Sequence, residues 1–122
     1  MRRWDEVGSL HIELKHGAKL DERGIRLDGK QAYAASRSIG IDLKEKTLEV
    51  WVQLDDINQR GGGAISVQTL NGNIFDAIVY GEREQKRWMA GSNGFARYSS
   101  FNGPEEKDAK GRPVHFAIVY RQ

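Results

Sequence analysis

Carboxylates, arginines and aromatic rings are the groups in this chain whose spacing could do chemistry. Glu82 and Glu84 flank Arg83. On a strand they would share one face, the arrangement in which one carboxylate attacks or activates and another protonates at a glycosidic bond. They follow Gly81 in a charged run, 81–86, that reads as a turn, where carboxylates are solvated. Asp55 and Asp56 are adjacent and would point to opposite faces of a strand. A glycosidase is therefore not the reading, and no catalytic residue is assigned. Between positions 83 and 101 the chain carries Arg83, Arg87, Trp88, Asn93, Phe95, Arg97, Tyr98 and Phe101. Rings stack on the apolar faces of sugars, and guanidinium or amide groups bond hydroxyls or carboxylates. This mixture, poor in aliphatics, suits an exposed ligand-binding rim, with Trp88 and Tyr98 as stacking platforms and Arg83 and Arg87 as polar partners. The competing reading places Trp88 and Phe95 in a core and leaves the arginines in solvent. Trp51 is read in the same way, as a core aromatic.

Other chemistry is excluded or finds no partner. With no cysteine there is no disulfide, zinc–thiolate site or cysteine nucleophile. His11, His16 and His115 stand singly, without partners at ligand spacing. Gly61-Gly62-Gly63 lacks the Lys-Ser/Thr of a phosphate loop and precedes a strand signal, so it is a turn or bulge. The 19 Lys+Arg nearly balance 17 Asp+Glu and alternate with them along the chain, the pattern of a solvated surface and not of a nucleic-acid stripe. No apolar run approaches the roughly 18–20 residues of a membrane span. Residues 1–6 include basic residues but no apolar core of a secretory signal.

The elements that must position these residues are strands. Leu48, Val50, Val52 and Leu54 alternate with Thr47, Glu49, Trp51 and Gln53, a period of two with one aliphatic face and one mixed face. Similar alternation predicts strands over 10–15, 24–27, 31–35, 64–70, 74–80, 87–90 and 113–121. Residues 15–21, 55–62 and 91–94 read as turns or loops, and 36–46 as an extended loop or edge segment. Asp28-Gly29 and Asn71-Gly72 are hairpin-turn signals. No helical period stands out. Strand signals roughly ten residues apart predict an all-β, antiparallel two-sheet β-sandwich in a single domain, 1–122. The last strand signal runs almost to Gln122, so a neighbouring strand is expected to be missing, leaving a sheet edge open to another chain or a second copy.

The segments L-H-I-E-L-K-H-G-A, R-G-I-R-L-D-G-K-Q-A-Y, K-T-L-E-V-W-V-Q-L and R-P-V-H-F-A-I-V-Y, in that order, resemble the laminin-G-like modules of the concanavalin A-like lectin/glucanase superfamily. D-G-x-x-x-Y followed by T-L-E-x-W-V is the most specific part, and 74–92 is similar to a bacterial branch attached to large exported proteins. The resemblance implies a jelly roll that lacks its closing C-terminal strands, and an extracellular or periplasmic setting within a larger protein. It implies a non-catalytic module that binds carbohydrate or glycan-bearing surfaces, with a protein-interaction or architectural role as the alternative. It also implies Ca2+ as the candidate cofactor, for which Asp55, Asp56 and Asp76 are the candidate ligands. The ligand-binding set expected is Arg83, Arg87, Trp88, Asn93, Arg97, Tyr98 and Phe101.

Overall fold

A computed structural model describes residues 2–96 and 100–121. Among them lie ten strands and one short 3-10 turn at Asn93–Phe95. The strands are β1 (Arg2–Arg3), β2 (Ile12–Lys15), β3 (Lys19–Asp21), β4 (Gly24–Arg26), β5 (Tyr33–Ser36), β6 (Lys46–Val52), β7 (Gly63–Gln68), β8 (Phe75–Tyr80), β9 (Trp88–Ser92) and β10 (Val114–Tyr120). Every pairing is antiparallel. The fold is all-β, as the two-residue period predicts. The chain divides into two compact units, Met1–Asp42 and Leu43–Gln122.

In the first unit, β1, β2 and β5 form one sheet, and β3 and β4 a hairpin. The Asp28-Gly29 turn is present but does not make the expected hairpin of 24–27 with 31–35. One Asp28 carboxylate oxygen accepts the backbone N–H groups of Lys30, Gln31 and Ala32 at 2.9, 3.1 and 3.0 Å. Gathering three successive amides coils the chain instead of returning it on itself. Strand β4 pairs back on β3 across a turn in which Asp21 Oδ1 accepts the N–H groups of Arg23 and Gly24 at 2.8 and 3.2 Å, and β5 pairs with β2, with Leu14 opposite Ala34. Strand β3 falls in a segment expected to be a turn, because three residues are too few to display a period. Among the described residues of this unit no side chain is buried. Local bonds hold it instead. Asp5 Oδ1 accepts the N–H groups of Val7 and Gly8, both at 2.8 Å, and Oδ2 that of Leu10 at 3.0 Å.

The second unit contains the core. Strands β6 and β10 pair without a break from Val114 opposite Val52 to Tyr120 opposite Lys46. Strands β7, β8 and β9 form the other sheet. Leu48 and Ile118 from the first sheet share one apolar cluster with Ile78, Tyr80 and Trp88 from the second, and with Ala109 from the loop before β10. Each fully buried aliphatic side chain such as Ile78 contributes roughly 1.5–3 kcal/mol. A smaller cluster of Ala77, Val79 and Met89 lies on the opposite face of β8 and β9, so no residue from Asp76 to Tyr80 is exposed. The Asn71-Gly72 turn does join β7 to β8, closed by Gly72 N–H to Thr69 O and Thr69 N–H to Ile74 O, both 2.9 Å. Gly91 was expected in a turn, yet β9 continues through it. A side chain there would bring a Cβ within 2.8 Å of Val79 Cγ1, so close packing explains this glycine.

Candidate functional site

Trp88 opens β9 and is only 8% exposed. Tyr80 meets its ring edge-on at 4.8 Å, and Phe116 stacks on it at 5.6 Å. Its indole N–H donates to Glu106 Oε1 at 2.8 Å. The other Glu106 oxygen accepts the backbone N–H groups of Asp108 and Ala109 at 2.9 and 3.2 Å. Burial pushes the Glu106 carboxyl up, but the Trp88 indole and these backbone donors outweigh it and hold the carboxyl below its usual value. Two further bonds fasten the same loop: Glu106 N–H to Lys86 O at 2.8 Å, and Arg87 Nε to Gly103 O at 2.9 Å. Trp88 and Arg87 therefore anchor the loop before β10 to the core. The expectation of Trp88 as an exposed stacking platform gives way to the core reading, because its ring and its one polar atom are already engaged.

The other expected rim residues differ in exposure. Arg83 is exposed, Asn93 is half-buried, and Phe101 is 47% exposed with its ring 6.5 Å from that of Phe116. Arg97 and Tyr98 lie outside the described residues. Glu82 and Glu84 fall between β8 and β9, not on a strand. Glu84 accepts the Ser100 hydroxyl at 2.7 Å, and Glu82 is exposed.

Of the calcium candidates, Asp76 is buried on β8, with Lys46 Nζ 2.7 Å from its carboxylate. The same ammonium sits 4.7 Å above the centre of the Tyr120 ring. Asp55 and Asp56 are exposed in the loop after β6, where Asp56 accepts the N–H of Asn58 at 2.8 Å. Among the described residues no group of three or more His, Cys, Asp or Glu side chains is placed to hold a metal ion.

The outer face of β6 and β10 gathers what the rim does not. Trp51 is 71% exposed, against the expectation of a core aromatic. Its cross-strand partner is His115, with ring centres 5.1 Å apart. His115 Nε2 lies 3.3 Å from Glu49 Oε2, the next outward residue on β6. Gln53 follows Trp51 on the same face, its amide donating to Lys110 O at 2.9 Å, and Val119 lies further along β10, 57% exposed. An open indole thus sits in a row with a carboxylate, an imidazole and an amide. Such a row can cover an apolar ligand surface while exchanging hydrogen bonds at its margins. The signal for it was in the sequence: Trp51 occupies the polar phase of the β6 alternation.

The strands and this face together define an all-β, antiparallel protein with an aromatic and polar open sheet face. Comparison with known proteins finds no matching family model, no matching curated protein and no matching solved structure. No helix among the described residues is long and apolar enough to cross a membrane.

Proposed function

We propose that this chain is a non-catalytic binding module, a laminin-G-like jelly-roll sandwich that recognises carbohydrate on the outer face of β6 and β10. The observation that carries the reading is Trp51, 71% exposed and bordered by Glu49 and His115. An indole open to water on a strand face suits the flat, C–H-rich face of a pyranose, and the flanking groups suit its hydroxyls. The apolar cluster shared by two small sheets supports the sandwich. Two of the segments that resemble the family, K-T-L-E-V-W-V-Q-L and R-P-V-H-F-A-I-V-Y, fall largely on the paired strands β6 and β10. The non-catalytic part of the reading is supported by Glu82 and Glu84 lying between β8 and β9 and not in alternation along a strand.

The test is a glycan-array screen followed by calorimetric titration of the best hit, comparing the unmodified chain with Trp51→Ala. Removing a stacked indole should weaken binding by roughly 1.5–3 kcal/mol, about ten- to a hundredfold. Unchanged affinity in Trp51→Ala would remove this face as the binding site. No glycan bound by the unmodified chain would remove the function.

A further inference from the structure

Among the described residues β10 pairs with β6 alone, so it is an edge strand of a two-stranded sheet. Edge strands in proteins that stay single are usually blunted by a lysine, a proline, a bulge or shortness. Strand β10 carries none of these. It runs seven residues, V-H-F-A-I-V-Y, with no lysine or other formal charge, and its register with β6 is unbroken.

The strand complements itself as well. Laid antiparallel on a second copy about Ala117, His115 faces Val119, Ala117 faces Ala117, Val114 faces Tyr120, and Phe116 faces Ile118. The half-buried or buried residues Val114, Phe116, Ile118 and Tyr120 keep to one face, and the exposed residues His115, Ala117 and Val119 to the other. No pair places like formal charges opposite each other, which antiparallel pairing disfavours.

We infer that two copies of this chain associate through β10, forming a continuous four-stranded sheet in the order β6, β10, β10, β6. The pairing itself does not depend on carbohydrate recognition; one consequence does. It sets two Trp51 faces on the same side of one sheet. Three strand spacings of about 4.8 Å across and four residues of about 3.3 Å along place the two indoles roughly 20 Å apart. A single polysaccharide chain of several sugars could then engage both, and the second contact would form at an effective concentration in the millimolar range.

The chain has no cysteine, so single-cysteine variants report geometry without background. Ala117 and Thr47 are both exposed, on the outward faces of β10 and β6, and their substitution leaves the core intact. At the two-fold axis, Ala117→Cys would bring two thiols within the roughly 4.4–6.8 Å Cα separation that a disulfide needs. Thr47→Cys would hold its thiols roughly 20 Å apart and serve as the control. Sedimentation of the unmodified chain should give a concentration-dependent dimer that Ala117→Lys abolishes. Oxidation should crosslink Ala117→Cys at least about tenfold faster than Thr47→Cys. A monomer at every concentration overturns the inference and leaves the edge to a strand from another protein. A dimer in which both variants crosslink equally fast, or one that survives Ala117→Lys, overturns it too. None of these results depends on whether a glycan binds.

Discussion

The Glu106 carboxylate ties the Trp88 indole to the loop before β10, and replacing it tests how that loop is held. In Glu106→Ala the Trp88 indole N–H loses its acceptor inside a site where the residue is 8% exposed. Stranding such a donor costs about 1–3 kcal/mol. The N–H groups of Asp108 and Ala109 lose a cap, worth about 1 kcal/mol by analogy with helix caps, although the exposed Asp108 amide regains water. The sum is about 3 kcal/mol. Unfolding entropy of roughly 2.1 cal/mol/K per residue gives about 0.17 kcal/mol/K for the second unit, Leu43–Gln122, so its Tm should fall by about 18 °C. Urea unfolding followed by tryptophan emission is the assay. Trp4 and Trp51 are 62% and 71% exposed, so the shift on unfolding reports mainly on Trp88. In a double-mutant cycle with Trp88→Phe, followed by circular dichroism, the two substitutions should couple by about 1–2 kcal/mol. A loss below about 0.5 kcal/mol in Glu106→Ala, or strict additivity with Trp88→Phe, would refute the argument.

Acid dependence follows from the same group. The folded-state carboxyl of Glu106 is held below its usual value of 4.5, so its contribution is fully present above that value and is lost as pH falls through the lowered one. The stability of Glu106→Gln should therefore fall less steeply in acid, and the two curves should converge; parallel curves across that window would contradict the shift. At the buried pair, Asp76→Ala removes the carboxylate 2.7 Å from the Lys46 ammonium and should cost about 3–5 kcal/mol, while Lys46→Met with Asp76→Leu together should cost much less, both read by urea unfolding. Gly91→Ala should destabilise by about 1–3 kcal/mol through its clash with Val79, and Val79→Ala should relieve part of that loss; a neutral Gly91→Ala would show that the strands can part at no cost. Trp51→Ala should cost about 0.5–1.5 kcal/mol, through the lost His115 pair and strand preference, and leave the core intact; with the variant shown folded by circular dichroism, a loss of glycan binding reflects the contact itself.

What the sequence conveys about this chain depends on range. Strands β6 and β10 are long enough for a two-residue period to declare itself, and the structure places them within a residue or two of where the alternation does. Strands β3 and β4 have three residues each, and the turn between them carries Asp21 Oδ1 accepting the N–H groups of Arg23 and Gly24 at 2.8 and 3.2 Å, a side-chain contact that a strand pattern does not encode. Trp88 shows the same limit for a site. Its role is set by Glu106, 18 residues away, and nothing in the run of arginines and aromatics around it marks that partner. Trp51 is the opposite case. Its phase on β6 placed it beside Thr47, Glu49 and Gln53, and the general preference of tryptophan for interiors argued the other way. Local phase was the better guide, because once the neighbouring residues fix which face enters the core, a strand residue has no freedom to choose.

The contrast between β8 and the first unit implies a hierarchy in time. Amides in the centre of a three-stranded sheet whose residues from Asp76 to Tyr80 are all shielded exchange with solvent hydrogen only when the whole second unit opens. The first unit, fastened by Asp5 and Asp28 and with no shielded side chain among its described residues, opens by local fluctuation. A protease acting under native conditions should therefore cut within residues 4–42 long before it touches β8. The fragment it leaves would still contain both faces of the shared core, together with Trp51 and the β10 edge.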